Sequence, residues 1–250
     1  MKSNRMMWVV VTLVVFTTIA ITFGTLDSRS QEKTGQAQST RTPPANPFGD
    51  LSKYPIADYD APDPSNPTER NKRKIKSTRY DGLVLVSKKV SSDTTAIIVS
   101  DGEKIPLAIP YSDSSLVIVG ETLSSNAFLS NDKSGIYSEY SVQIQALIKK
   151  DPDKKAKIGE TITIDRTGGL VKYPNGQKVL FMNDWQSLPE VGARYIWFLT
   201  RDKNQDPNYK IVTAYQIKDG VITALDKFPQ FREFNGKNEA EFMKLVTGNK

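Results

Sequence analysis

Hydrophobic and polar residues alternate in short runs over residues 80–250, and turn-forming residues separate these runs. In the run 137–147, Tyr140, Val142 and Ile144 fall on one face of an extended strand, and polar side chains fall on the other. The separators include Asp-Gly, Asn-Gly and Asp-Pro-Asp, which are common turn sequences. This pattern predicts a mainly β, antiparallel domain.

The alternating runs predict strands at 82–90, 95–100, 105–110, 115–123, 135–149, 160–165, 178–182, 192–200, 209–217 and 221–225. The run 195–199 is apolar on both faces, so we expect a strand that is covered on both sides. At the C-terminus, Asn238 is a candidate N-cap, acidic residues follow it, and Gly248 is a candidate stop. These signals predict a short C-terminal helix, with Phe242, Leu245 and Val246 on its apolar face, that closes the core.

An uncharged, mostly apolar run of 21 residues, 6–26, precedes the β pattern. A helix of that length measures about 32 Å, close to the thickness of the hydrocarbon core of a bilayer. Lys2 and Arg5 precede the run, and a short basic N-terminus tends to stay in the cytoplasm. The sequence therefore predicts a cytoplasmic N-terminus at 1–5, a single-pass signal-anchor at 6–26 in the cell membrane, and an extracytoplasmic remainder. The alternative is a secreted protein whose signal peptide is cleaved.

Residues 27–79 are rich in serine, glutamine, threonine, asparagine and proline, with seven prolines between positions 43 and 67. This composition predicts a disordered, extended tether that precedes a folded domain at 80–250. Near its end lie six cations, Arg70, Lys72, Arg73, Lys74, Lys76 and Arg79. One interpretation is a solvated flank; the other is contact with an anionic surface, either lipid headgroups or a wall polyanion.

The net charge of +6 is concentrated near the N-terminus. Residues 1–79 carry 12 basic and 7 acidic residues (+5), and residues 80–250 carry 22 and 21 (+1). The predicted folded domain is thus almost neutral, and nucleic acid is not an expected partner.

The chain has no cysteine and no histidine. This composition excludes disulfides, thiol nucleophiles, Ser-His-Asp triads and metal centres built on cysteine or histidine. An exported domain without disulfides favours a bacterial envelope protein. We expect no cofactor and no catalysis, and a Ser/Lys-type hydrolase is the enzymatic alternative.

Several segments together resemble a known arrangement of strands. They are SSLVIVGETL at 114–123, YSEYSVQIQALIKK at 137–150, GETITID at 159–165 and VGARYIWFL at 191–199, followed by the C-terminal helix. This succession resembles a group of secreted or membrane-anchored bacterial β domains and, more distantly, the OB-type barrel of netrin-like and metalloproteinase-inhibitor (TIMP-like) modules. The resemblance implies an OB-like antiparallel β-barrel with an N-terminal β extension at 80–110. Those inhibitors act through an N-terminal cysteine, which this chain lacks, so the resemblance implies no inhibitory activity.

Two short segments are candidate binding sites. Gly168 and Gly169 follow a predicted strand, where a glycine pair either forms a turn or lets a ligand approach the backbone. Asp184 and Trp185 lie in a predicted loop, and loops of OB-like barrels bind oligosaccharides and peptides. The sequence therefore predicts a non-catalytic binding or assembly module of the cell envelope, with an envelope protein as partner. The alternative is a module that binds wall polymer or an anionic surface.

Overall fold

The computed structural model describes residues 50–82, 84–89, 94–100, 105–201 and 208–248. The predicted N-terminus at 1–5, the predicted signal-anchor at 6–26 and the first part of the predicted tether, 27–49, lie outside these residues. Within the described ranges, no helix combines the length and the apolar character that crossing a membrane requires.

The described residues form eleven strands in two sheets, which confirms the prediction of a mainly β chain. The strands are β1 (Ile56–Asp58), β2 (Val84–Lys89), β3 (Thr94–Ser100), β4 (Leu116–Leu129), β5 (Ile136–Lys149), β6 (Thr161–Thr167), β7 (Gly169–Lys172), β8 (Lys178–Met182), β9 (Arg194–Thr200), β10 (Tyr209–Lys218) and β11 (Val221–Ala224). The α-helices are α1 (Pro67–Ser77), α2 (Pro229–Arg232) and α3 (Glu239–Gly248).

The larger sheet has the strand order β11-β10-β6-β5-β4-β9, and β9 also pairs with β10. Five strands therefore have two partners within one circle of pairings, β4–β5–β6–β10–β9–β4. Four of these pairings are antiparallel, and β6–β10 is parallel. The longest strands, β4 and β5, form a hairpin with the connecting loop 130–135.

Strand β9 is buried on both faces, as its apolar sequence predicts. Tyr195 and Trp197 pack into one cluster with side chains of β4, β5 and β6, and Ile196 and Phe198 pack into a second cluster on the other face. The second cluster includes Phe242 of α3, so this helix covers the sheet. Strand β9 thus contributes side chains to both hydrophobic clusters, one on each of its faces.

The predicted C-terminal helix is confirmed as α3. The side-chain oxygen of Asn238 accepts a hydrogen bond from the backbone N–H of Ala240 at 2.8 Å, as an N-cap does. Phe242 and Val246 are fully buried, whereas Leu245, expected on the same apolar face, is 42% exposed. The helix therefore closes the core along a narrower stripe than the sequence pattern suggests.

The smaller sheet has the order β1-β7-β8-β3-β2, with parallel pairs β1–β7 and β3–β8. The predicted β extension at 80–110 therefore supplies only two of five strands, and the sheet is mixed rather than antiparallel. The predicted strand at 105–110 does not form, since Pro106 and Pro110 cannot donate hydrogen bonds to a ladder. Instead the carbonyl of Ala108 accepts a hydrogen bond from the Tyr215 hydroxyl, which holds this segment on the larger sheet.

Residues 50–79 are ordered, so the prediction of a disordered tether is wrong for this part of the chain. Strand β1 pairs with β7, and the helix α1 follows it. Pro67 occupies the first turn of α1, where its missing N–H costs nothing, and the Asn66 side chain accepts hydrogen bonds from the N–H groups of Thr68 and Glu69 at 2.9 and 3.3 Å. The ordered domain therefore extends back at least to Asp50, rather than beginning at residue 80.

Candidate functional site

The C-terminal end of α1 is held to the larger sheet by two ion pairs. Lys76 Nζ lies 2.7 Å from Glu139 Oε1, and the Arg79 guanidinium lies 3.1 Å from Asp165 Oδ2. Glu139 and Asp165 face each other directly across β5 and β6, where two like charges repel. Both cations are largely buried and compensate this acid pair, with side-chain exposures of 7% for Lys76 and 16% for Arg79. The structure therefore assigns Lys76 and Arg79 to the domain interior, in contrast to the predicted contact with an anionic surface.

Two stacked tyrosines complete this attachment, which we call the base of α1 and define by residues 76–80, 137, 139 and 165. The Tyr80 hydroxyl donates a hydrogen bond to Asp165 Oδ1, and the Tyr80 ring stacks on Tyr137 at 4.4 Å. The hydroxyls of Ser77 and Tyr137 are 3.2 Å apart. Burial and the negative charge of Asp165 raise the pKa of Tyr80 well above its ordinary value. The base is thus a largely buried, hydrogen-bonded contact.

The remaining cations of α1 lie beside an open groove of about 570 Å³. The groove runs between α1, residues 56–63 and the β4–β5 loop, and its charged lining residues are Arg70, Arg73, Lys74, Lys133, Asp58 and Asp63. Within the described residues, none of these four cations has a carboxylate oxygen within 4.0 Å. Lys72 does not line the groove and pairs with Glu69 at 3.1 Å on the exposed side of the helix. The groove therefore carries a net charge of +2, because four cations face two carboxylates.

Aromatic rings hold two of the four cations in place. The Arg73 guanidinium lies 4.1 Å from the centre of the Phe128 ring, and Lys133 Nζ lies 4.3 Å from the centre of the Tyr59 ring. Lys133 Nζ also donates a hydrogen bond to the Tyr59 carbonyl at 3.2 Å. These contacts orient the cations without neutralising them, because a ring face attracts a cation but carries no net charge.

Two local features beside the groove lower the stability of the folded chain when no ligand is bound. Arg70 is three residues before Arg73 and four before Lys74, so three like charges share one face of α1. Lys133 has a φ of 56°, in the left-handed region that disfavours side chains other than those of glycine, asparagine and aspartate. Conformational costs of this kind concentrate at functional sites. Both features present a cation to the same groove.

Sequence reasoning missed three of these residues, Tyr59, Phe128 and Lys133. The N-cap and first-turn proline at Asn66 and Pro67 signal a helix, which by itself would have placed the three α1 cations on one face. No local signal connects Lys133 with that helix, since the β4–β5 hairpin brings it there from a distant part of the sequence.

Gly168 and Gly169 mark the point where the chain leaves the larger sheet for the smaller one. Both have positive φ, 115° and 147°, and both are buried. A Cβ atom on Gly168 would lie 3.0 Å from the Phe181 carbonyl oxygen, and one on Gly169 would lie 3.0 Å from Ser138 Oγ. Close backbone packing thus accounts for the pair without a ligand, and the structure does not bring it together with the groove.

Asp184 and Trp185 lie exposed in the loop between β8 and β9, away from the lining of the groove. Trp185 is 51% exposed, and its ring stacks on Phe228 at 5.3 Å with an interplanar angle of 11°. Its carbonyl accepts a hydrogen bond from the N–H of Lys227 at 2.8 Å. The loop therefore presents a partly exposed aromatic ring whose other contacts are the stack on Phe228 and the backbone hydrogen bond from Lys227.

A second cavity, which we call the cleft, has a volume of about 430 Å³ and lies next to this loop. Residues 50–54 line one side of it, and residues 186–190 line another. Lys53 and Glu190, one from each segment, form an ion pair at 3.1 Å. Groove and cleft thus adjoin opposite ends of the same segment, residues 50–63.

Within the described part of the chain, no group of three or more acidic side chains is placed to hold a metal ion. No family model matches the chain, and no curated protein matches it.

Proposed function

We propose that this chain is a non-catalytic binding module of the bacterial cell envelope that holds an extended anionic partner in the groove beside α1. One observation carries the proposal: four cations converge on the groove with no carboxylate partner within 4.0 Å among the described residues. The two other groove-side charges are acidic and leave a net positive surface. A partner with several negative groups would supply the missing counter-charges.

The place of the groove supports this assignment. We infer that the circle β4–β5–β6–β10–β9 is an OB-like barrel, in which β5 and β6 are the second and third strands. OB-type barrels bind their ligands on the face of those strands and on the loop between the first two. The groove adjoins that loop through Ser130, Asn131 and Lys133, and the base of α1 rests on β5 and β6.

The side chains favour phosphate or carboxylate groups. Arginine presents a fork of donors that matches both groups, and Arg70 and Arg73 lie one helical turn apart. Arg70 already donates to the carbonyls of Pro64 and Ser65 at 3.1 and 3.5 Å, so Arg73 offers the fuller fork. Asp58 and Asp63 at the groove would repel a ligand of uniformly dense charge at their own positions. The proposed partner is therefore an extended chain with separated acidic groups, such as a wall polymer.

The proposal retains a single membrane anchor at 6–26 and an extracytoplasmic domain, with a secreted, cleaved form as the alternative. Immunoblotting of the protein in cells distinguishes them, since cleavage shortens the chain by about two dozen residues. Either form leaves the groove on the outer side of the membrane.

The test measures binding of fluorescent polyphosphate to the full-length chain in a zwitterionic detergent. The variant carries Arg70→Gln, Arg73→Gln and Lys74→Gln. We expect it to lose about a hundredfold in affinity, since each of the three cations contributes about 1 kcal/mol near an anionic surface. Binding by the unchanged chain should weaken as salt rises.

A matched control removes three exposed lysines outside the groove, Lys155, Lys178 and Lys218, each replaced by glutamine. It has the same net charge as the groove variant and should bind within about twofold of the unchanged chain. Equal losses in both variants would show a general charge effect and contradict the proposal. The proposal would also be contradicted if the unchanged chain bound neither polyphosphate nor a second probe, polyglutamate.

A further inference from the structure

The cleft differs from the groove in its charge balance. Its charged lining residues are two cations, Lys53 and Lys227, and two carboxylates, Asp50 and Glu190. Lys53 and Glu190 already pair with each other. Asp50 accepts a hydrogen bond from the N–H of Ser52, and this bond lowers the pKa of its carboxyl group. An ion therefore finds little net attraction here, and an uncharged polar ligand fits better.

One buried donor of the cleft lacks an acceptor. The Tyr195 hydroxyl oxygen accepts a hydrogen bond from the N–H of Glu190 at 2.9 Å, and within the described residues no acceptor is found for its own hydrogen. The Tyr195 side chain lines the cleft although the residue is only 1% exposed. Burial raises the pKa of Tyr195 to about 12, so the hydroxyl keeps its hydrogen at neutral pH. A buried donor without an acceptor is unfavourable, and an oxygen of a ligand would satisfy it.

An exposed aromatic ring, that of Trp185, lies beside the cleft, although Trp185 is not itself one of its lining residues. Trp185 is half exposed, and it adjoins Gln186 in sequence and Lys227 through a backbone hydrogen bond, both of which line the cleft. Its ring stacks nearly parallel on the Phe228 ring, with an interplanar angle of 11°. A flat ring packs against the apolar C–H face of a sugar ring and loses little conformational freedom on binding.

A buried ion pair holds the wall of the cleft. Arg166 and Asp226 form a two-pronged pair at 2.6 and 2.9 Å, and both side chains are 1% exposed. Arg166 also donates to the Ser187 carbonyl at 2.7 Å, and Asp226 accepts from the Ser187 N–H at 3.2 Å. The wall segment around Ser187 is therefore fixed before any ligand arrives, which lowers the cost of binding.

We infer that the cleft binds an uncharged oligosaccharide, with Trp185 stacked on one sugar ring and the Tyr195 hydroxyl donating to a sugar oxygen. The volume of about 430 Å³ falls within the usual range for small-molecule sites. A sugar supplies the hydroxyl oxygens that the Tyr195 donor requires and the C–H face that the Trp185 ring requires. This site is independent of the groove and of the anionic partner proposed for it.

Calorimetric titration of the full-length chain tests the inference, in a zwitterionic detergent that carries no sugar headgroup. The probes are chitotriose and maltotriose, two neutral trisaccharides. We expect at least one to bind, and Trp185→Ala and Tyr195→Phe each to weaken binding about tenfold. Trp185→Phe preserves a flat ring and should stay within about threefold of the unchanged chain.

The groove variant with Arg70, Arg73 and Lys74 changed to glutamine is the second control and should bind the sugar normally. Its failure to bind polyphosphate while it still binds sugar would separate the two sites. Absence of binding for both trisaccharides at about 10 mM would overturn the inference. Unchanged affinity in Trp185→Ala and Tyr195→Phe, or tighter binding of an uncharged tripeptide than of either sugar, would overturn it as well.

Discussion

The two parts of the basic segment 70–79 carry the same kind of charge in opposite surroundings. At the base of α1, Lys76 and Arg79 are mostly buried and paired with Glu139 and Asp165. Less than two turns earlier, the cations around Arg73 line an open groove and have no carboxylate within 4.0 Å among the described residues. One short stretch of sequence thus contains both a structural contact and a candidate binding surface.

The difference follows from solvation. A buried charge loses its hydration and needs a partner, and the loss of that partner costs far more than the pair itself contributes. An exposed cation keeps its hydration, so it tolerates the absence of a partner and still attracts anions. Counting charges along the chain does not distinguish the two cases, whereas burial does.

The largest expected effect is at the base of α1. Arg79→Met leaves Asp165, which is fully buried, without its cation. We expect the free energy of unfolding to fall by about 3–5 kcal/mol, as for other broken buried pairs. Urea unfolding followed by circular dichroism measures this change. Lys72→Met is the control, since its exposed pair with Glu69 contributes less than about 1 kcal/mol; equal losses would contradict the comparison.

The second effect concerns alkaline pH. An unfolded tyrosine loses its proton near pH 10, whereas burial raises the pKa of Tyr80 well above that value in the folded protein. Above about pH 10 the unfolded state therefore binds fewer protons, and stability falls by up to about 1.4 kcal/mol per pH unit for this tyrosine. Below pH 10 its contribution is fully present.

Unfolding free energies measured between pH 8 and pH 11 test this dependence. Tyr80→Phe should be less stable at pH 8, since it removes the hydrogen bond to Asp165, and its stability should fall less steeply above about pH 10. Identical slopes for the variant and the unchanged chain would show that Tyr80 is accessible to solvent in the folded protein and would contradict its burial at the base of α1.

The sequence pattern predicts β5 well because its alternation reflects burial on one face, but it ends β4 at residue 123, six residues before the strand ends at Leu129. It also identifies β9 as covered on both faces and α3 through its cap at Asn238. The pattern fails for β1, whose three residues are too few to show a period and whose parallel partner β7 lies far away in the sequence. It fails for α1 because proline-rich composition outweighed the helix-start signal at Asn66 and Pro67.

The candidate site was predictable only in part. The basic cluster is visible in the sequence, and so is Trp185 as a loop aromatic. The division of the cluster between base and groove depends on Glu139 and Asp165, which lie opposite each other only once β5 and β6 pair. The contribution of Lys133 likewise depends on a hairpin, so no local pattern could reveal it.

A smaller effect is expected from the strained backbone of Lys133. Lys133→Gly and Lys133→Ala both remove the cation, but only glycine adopts the left-handed φ of 56° without strain. We expect the glycine variant to be more stable than the alanine variant by about 1 kcal/mol. Both should lose the same affinity for polyphosphate. Urea unfolding measures the two stabilities. If they were equal, the left-handed φ of Lys133 would carry no strain, and the inference that this strain is tolerated for binding would be wrong.

The smallest effects distinguish two neighbouring lysines of α1. Lys74 lies four residues after Arg70, so Lys74→Gln removes a repulsion of about 0.2–0.5 kcal/mol, but it also removes a cation from the last turn of α1, where the helix dipole favours positive charge. We expect the two effects to offset each other and stability to change little. Lys72→Gln removes the pair with Glu69 and should lower stability by about 0.2–0.5 kcal/mol. Binding of polyphosphate should respond differently, with a larger loss in Lys74→Gln, because only Lys74 lines the groove. A loss of stability in Lys72→Gln, together with the greater loss of binding in Lys74→Gln, is the expected signature of a cation kept for a ligand.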